Sequence, residues 1–256
     1  MKNLLFIGDV VGKAGCDFLN DKLRLIKRQY AVDITAVNGE NSAQGNGITR
    51  ASAEMLLNAG ADIITTGNHA FRRKESLDIF ERDCIIRPAN YPQGCAPGKG
   101  VCLLDCGAFS VAFVNLMGTA FMEPLDNPFT TIDGILEDID TPNIFVDFHA
   151  ESTSEKKAMG FYLDGRVTGI FGTHTHVQTS DECILPGGTA YITDTGMTGP
   201  ELSCLGVEKD EVIEMFRFRT PVRFREAGGD CFLCGIVSEF DEKSGKTHKI
   251  ERVIIR

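Results

Sequence analysis

The sequence predicts an α/β protein built on a largely parallel sheet, with its chemistry at the strand ends. Three observations carry that prediction. Short apolar runs rich in β-branched residues alternate with helical patterns through the first third of the chain. These runs stop at Gly8-Asp9, Asn38-Gly39 and Gly67-Asn68, where glycine lets the backbone turn sharply. Four of the five histidines fall at the ends of predicted strands, where α/β sheets bind their ligands.

Asn3 to Ile7 reads as the first strand, and Gly8-Asp9-Val10-Val11-Gly12 as the turn beyond it. Ala14 to Tyr30 follows as an amphipathic helix, because Phe18, Leu19, Leu23, Leu25 and Ile26 are helically spaced among charges. Ile34 to Val37 is the second strand, ending in Asn38-Gly39-Glu40-Asn41 and the loop Gly45-Asn46-Gly47. That loop has phosphate-cradling composition without the full P-loop pattern. Thr49 suits the N-cap of a helix over Ala51 to Ala59. The run Ala61 to Thr66 then leads into Gly67-Asn68-His69. This is βαβαβ, for which parallel pairing with right-handed crossovers is expected, placing all three turns along one sheet edge.

Arg87-Pro88-Ala89-Asn90-Tyr91-Pro92 must be extended, since residues before proline avoid the helical region. Gly100 to Leu104 and Phe109 to Leu116 read as a hairpin, and Ile132 to Ile139 as a short helix. Asn143 to Phe148 is a buried strand ending at His149. Ser152 and Glu155 have capping-box spacing for a further helix. Val167 to Phe171 is a strand closed by Gly172-Thr173-His174-Thr175-His176; Ala190 to Thr193 is another, followed by Asp194-Thr195-Gly196-Met197-Thr198-Gly199-Pro200. Glu208 to Phe216 reads as a helix, and Cys231 to Phe240 with Lys249 to Ile255 as an antiparallel pair. With neither repeat nor linker, residues 1–256 are expected to form one domain.

Composition narrows the function. A hydrophobic fraction of 43% is ordinary for a globular protein, and a net charge of -10 disfavours broad binding to nucleic acid or anionic membrane. No apolar run approaches the roughly 20 residues that span a bilayer. The beginning is too short and too soon acidic for a signal peptide. Nine cysteines in no framework pattern suit reduced thiols, so a cytoplasmic location is expected. Cys231 and Cys234 lie three apart in a predicted strand and point to opposite faces, which opposes a zinc or redox pair.

The strand ends collect Asp9, Glu40 with Asn41, Asn68 with His69, His149, and His174 with His176. Any one histidine is more often a packed or solvated residue than a ligand; four together with two carboxylates and amides point to a site. Imidazole and carboxylate suit zinc, iron or manganese. Two residues apart on extended chain, His174 and His176 can face one site, and Glu40 can bridge two ions. Two metals form a clamp for displacement at phosphorus and lower the pKa of a bound water. The leaving oxygen then needs a proton, for which His69 is the candidate. Chemistry alone leaves Asn41 either a ligand or an amide orienting one.

Gly8-Asp9, Gly67-Asn68-His69, a lone later histidine and Gly172-Thr173-His174-Thr175-His176 together resemble the calcineurin-like metallophosphoesterases. The resemblance implies a four-layer αββα sandwich of two mixed β-sheets flanked by helices. Val11 stands where that family's Asp-x-His motif puts histidine, Glu40-Asn41 replaces its bridging-aspartate region, and Ala70 follows His69 where many members are acidic. The first two departures are similar to one bacterial branch, the YmdB-like 2′,3′-cyclic-nucleotide phosphodiesterases. So are Asn38-Gly39-Glu40-Asn41, Arg87 to Pro92, Phe148-His149-Ala150-Glu151, His174 to Gln178 and Asp194 to Pro200. Phe71-Arg72 departs from the Trp-Asp of that branch. The resemblance implies Asp9, Glu40, Asn41 and His176 on one metal and Glu40, Asn68, His149 and His174 on the other, with His69 as proton donor. It further implies two divalent or trivalent ions, iron or manganese foremost with zinc or magnesium compatible, and opening of the 2′ bond to leave a 3′-phosphate.

Two rival functions use the same residues: a phosphomonoesterase or nucleotidase, and a non-enzymatic regulator that senses a nucleotide. The partners expected are a cyclic nucleotide or other small phosphoester and further copies of the chain, with no stable nucleic-acid binding and no membrane. Arg217, Arg219, Arg223 and Arg225 interleave with Phe218 and Phe224 at strand-face spacing; a solvated edge or subunit contact fits them better than RNA binding.

Overall fold

The computed structural model describes residues 1–92, 94 and 96–256. The expectation of a reduced thiol at Cys95 lies outside the described residues; the other eight cysteines, Cys231 and Cys234 included, are free.

The first third runs β1 (Lys2–Ile7), β2 (Asp9–Val10), α1 (Gly12–Gln29), β3 (Ile34–Asn38), α2 (Arg50–Ala59) and β4 (Ile63–Thr65). Thr49 caps α2 as expected: its hydroxyl accepts from the Ser52 amide, and Ser52 Oγ accepts from the Thr49 amide. The segment after β1 is more than a turn. Its short β2 pairs in parallel with a distant strand, so Asp9 is held by a ladder as well as by the bend.

The middle contains β5 (Val101–Asp105), β6 (Ser110–Met117), α3 (Pro128–Glu137), β7 (Ile144–His149), α4 (Thr153–Leu163), β8 (Gly169–Thr173), β9 (Cys183–Ile184) and β10 (Ala190–Ile192). The end contains β11 (Met197–Pro200), α5 (Lys209–Phe218), β12 (Cys231–Phe240) and β13 (Thr247–Ile255). The capping box expected at Ser152 does not form, because both Glu155 oxygens are drawn away to the 119–120 backbone. Nor do the four arginines share a strand face: Arg217 lies on α5, Arg219 closes it in a left-handed conformation, and Arg223 and Arg225 follow in irregular chain.

Two mixed sheets result. The first has the order β2-β11-β12-β1-β3-β4, with β13 against β12; β1, β3 and β4 are mutually parallel, whereas β12 is antiparallel to its neighbours. The second has the order β5-β6-β7-β8-β10-β9, parallel from β6 to β10 with antiparallel edges. Period-two alternation decides what each face meets. In β1, Leu4 and Phe6 join the core shared by the sheets, while Leu5 and Ile7 pack with Leu19 and Leu23 of α1.

On the far side, Val114, Val146 and Phe148 meet Ile132 of α3 and Met159 of α4. The order of layers is helix, sheet, sheet, helix. Phenylalanines fill the middle: Phe145 lies 5.6 Å from Phe113, 6.0 Å from Phe171 and 5.2 Å from Phe240, between ring centres. The β1, β3, β4, β7 and β8 ends then meet at one rim. Among the described residues no helix is long and apolar enough to cross a membrane.

Candidate metal centre

Every residue of the predicted set reaches that rim. Asp9 comes from β2, Glu40 and Asn41 from the turn after β3, Asn68 and His69 from the turn after β4, His149 from the end of β7, and His174 and His176 from the turn after β8. Gly67 is required by close approach: a Cβ there would meet His149 at 2.2 Å and Glu40 at 2.4 Å. No side chain fits between those two groups.

Neighbouring groups orient each ring. The Thr173 hydroxyl donates to Asp147 at 2.7 Å, so its free lone pair accepts from His149 Nδ1 at 2.9 Å. His174 Nε2 lies 3.0 Å from the Glu151 carboxylate. His149 Nε2 and His174 Nδ1 turn inward and lie 3.1 Å apart. Asn68 Oδ1 lies 3.0 Å from the same His149 nitrogen, and Glu40 Oε1 lies 3.2 Å from it. Four ligand-type atoms thus converge on one point. Such a donor set fits a cation; ligand atoms of Glu40, His149 and His174 all lie within 4.8 Å of one another.

The second half of the cluster is looser. His176 Nδ1 donates to the Leu205 carbonyl at 3.2 Å, leaving Nε2 toward Asp9 at 3.5 Å. Asn41 presents its amide nitrogen to Asp9, Glu40 and His176 at 3.3, 3.1 and 3.2 Å, and its oxygen to His69 Nδ1 at 2.9 Å. A ligand role for Asn41 requires its oxygen on the Asp9 side. His69 differs from the other three histidines, since it offers the cluster an N–H through Nδ1, with Glu40 Oε1 at 3.2 Å as a further acceptor.

Two carboxylates sit among the imidazoles. Asp9 and Glu40 are buried, and their cationic partners within 4.0 Å among the described residues are imidazoles. Burial opposes ionisation of Glu40, yet His149 and His69 hold it well below the usual carboxylate range. Asp9 is lowered too, with His176 overcoming its burial. Burial likewise opposes a charge on His149, but Glu40, Asp9 and Asp147 push it up to about 9. The adjoining His174 is lowered by its burial and by His149 beside it. The field is that of a cation-binding pocket.

Several supporting residues escaped the reading from sequence. Asp147, inside β7, accepts from Asn38 at 3.0 Å and from the Thr65 hydroxyl, and its burial raises its pKa to about 6. A carboxylate within an otherwise apolar strand was the available signal. Asp194 accepts from the Thr175 amide at 3.1 Å and hydroxyl at 2.8 Å, and pairs with buried Lys156 at 2.7 Å. This anchor holds His174 and His176 at φ of +101° and +64°. The two histidines therefore do not converge by strand alternation; they sit in a strained turn and serve different halves of the cluster.

A groove of about 1070 Å³ opens beside Asn41, edged by Gly45, Arg72, Leu205, Arg223 and Phe224. Thus two of the four arginines, Arg223 and Arg225, face the groove rather than a sheet edge. A smaller cleft of about 380 Å³ lies on the opposite half, lined by Asn68, Phe121, Met122, Glu123 and His174.

Two mixed sheets between helices, with carboxylates, imidazoles and amides converging at their common rim, define a metallophosphoesterase-type protein. The fold recurs in a Staphylococcus aureus protein described as a candidate 5′-nucleotidase, with a TM-score of 0.61 at 16% identity over 98% of this chain and 54% of that one. Residues 5–253 match the family described as YmdB-like protein, and the chain belongs to that family. It is 46% identical to the Bacillus subtilis (strain 168) 2′,3′-cyclic-nucleotide 2′-phosphodiesterase, covering 98% of this chain and 96% of that protein. The crystal structure of a novel phosphatase from Mycoplasma pneumoniae superimposes with a TM-score of 0.95 at 36% identity, covering 99% and 93% of the two chains.

Proposed function

We propose that this chain is a dinuclear metal-dependent phosphodiesterase that opens 2′,3′-cyclic nucleotides at the 2′ bond to give 3′-nucleotides. The observation that carries the reading is the convergence of ligand-type atoms from Glu40, Asn68, His149 and His174. The B. subtilis relative's name supplies the substrate class. Asp9, Glu40, Asn41 and His176 would hold one ion and Glu40, Asn68, His149 and His174 the other, with iron or manganese the foremost metals. When bound, such ions stabilise charge on the phosphoryl oxygens and acidify water.

The chain's own groups do the rest. Thr173, Glu151 and the Leu205 carbonyl face the outward ring nitrogens and so aim the inward ones at the cluster. His69 keeps an N–H at the cluster and delivers the proton to the departing 2′ oxygen. Residues 1–256 act as one domain, in the cytoplasm, as an assembly of identical copies.

A phosphomonoesterase reading draws on the M. pneumoniae relative, described as a phosphatase. Metal analysis of the purified protein, with a panel of cyclic and linear phosphoesters, separates the two. A cyclic diester outcompeting an aryl monoester is the expected outcome. Absence of both bound metal and metal-stimulated turnover would sink the proposal.

A further inference from the structure

We infer that Phe121 is a stacking platform for the nucleobase, seating the substrate in the cleft on the Asn68–His174 side. The inference rests on the cyclic-nucleotide reading and specifies where the base goes.

Phe121 is 91% exposed and has a φ of +65°. Both features cost free energy. A phenyl ring in water forfeits its hydrophobic gain, and a bulky side chain is rare in the left-handed region. The surrounding chain holds this arrangement in place. Glu155 accepts from the Thr119 amide at 2.9 Å and hydroxyl at 3.2 Å, and from the Ala120 amide at 3.3 Å. The Gly118 amide donates to the His149 carbonyl at 3.0 Å. The platform is thus tied by backbone to a residue of the metal cluster itself.

The cleft beneath it, about 380 Å³, contains Asn68 and His174 from the proposed metal set. Its size is that of a small-molecule site. A phosphate at the cluster leaves its nucleoside a choice of two exits. This one offers a ring face, and every base has a π face to stack on it. Glu123 on the same rim places a carboxylate against phosphate and in favour of a base with an exocyclic amino group. Adenine combines a large face with such an amino group; uracil has neither.

The test uses the metal-loaded full chain and two readouts. Steady-state kinetics compare 2′,3′-cyclic AMP with a base-free analogue, methyl ribofuranoside 2′,3′-cyclic phosphate. For Phe121→Ala, the ratio of kcat/KM between the two is expected to fall about 5- to 100-fold, mostly through KM, and Phe121→Trp should restore it. Equilibrium titration with adenosine 3′-monophosphate and with inorganic phosphate should show the same fall in affinity ratio. An unchanged ratio in both readouts overturns the inference, as does an equal loss for both ligands with a changed oligomeric state. If the wild-type protein turns over neither cyclic ester, the phosphodiesterase reading fails, and the titration still decides the platform.

Discussion

Two buried acidic centres lie within this molecule, and they are neutralised in opposite ways. Asp194 faces Lys156 at 2.7 Å and accepts from the Thr175 amide and hydroxyl and the Gly196 amide at 3.1, 2.8 and 2.9 Å. Every acceptor has its donor, and a permanent cation balances the charge. Glu40 and Asp9 are equally buried, but they receive scattered amide donors and the inward faces of histidines. Burying ions is tolerable only when charge and lone pairs are both matched. The matched centre is structural, because it holds a strained turn. The second centre, whose facing cations are imidazoles, is the one proposed to take up metal.

The sharpest way to break this contrast is Glu40→Gln. Removing the shared carboxylate is expected to lower turnover by about a thousandfold or more, since metal-borne charge stabilisation is worth several kcal/mol. Bound metal should fall in elemental analysis while the metal-free melting temperature holds or rises. A Glu40→Gln variant retaining both ions and full turnover would refute the assignment. His69→Ala tests the N–H within the same cluster. Its kcat should drop roughly 10²- to 10⁴-fold with metal content unchanged, and intact turnover would mean that another group protonates the leaving oxygen.

At the matched centre, Lys156→Met strands the Asp194 carboxylate and should cost about 3–5 kcal/mol of stability, measured by urea denaturation. Adding Asp194→Asn should recover part of that loss; no recovery would show that the lysine stem's packing, and not its charge, was decisive. The smallest effect is expected from Thr173→Val, which leaves His149 Nδ1 without its acceptor. Chelator competition should show metal affinity about 10- to 100-fold weaker, and an unaltered affinity would remove Thr173 from the orienting chain.

How far these centres could be read in advance differs as well. The groups with chemistry were legible because their residue types are distinctive and each ends an apolar run: Asp9 after β1, Glu40 after β3, His149 at the end of β7. The groups that orient them were not. Thr173 and Glu151 are ordinary residue types whose roles depend on which histidine nitrogen lies 2.9 or 3.0 Å away. Glu155 shows the same limit from the other side. Its spacing from Ser152 matched a local capping box, yet a neighbouring loop offered its oxygens three donors and won. The arginine series shows it again, since alternation along the chain counts only if the chain is a strand.

By itself, then, the sequence determined the layers and the cast. Period-two and helical alternation sorted apolar residues onto faces, and glycine and amide stops set out the carboxylates and imidazoles along one rim. Tertiary structure alone decided which ring nitrogen faces the cluster, that His174 and His176 part company in a left-handed turn, and that Phe121 stands exposed beside them. Those outcomes depend on contacts between residues far apart in the chain, such as Asp147 with Thr173 and Lys156 with Asp194, where a few tenths of an ångström decide whether a hydrogen bond forms. Local propensity carries no information at that scale.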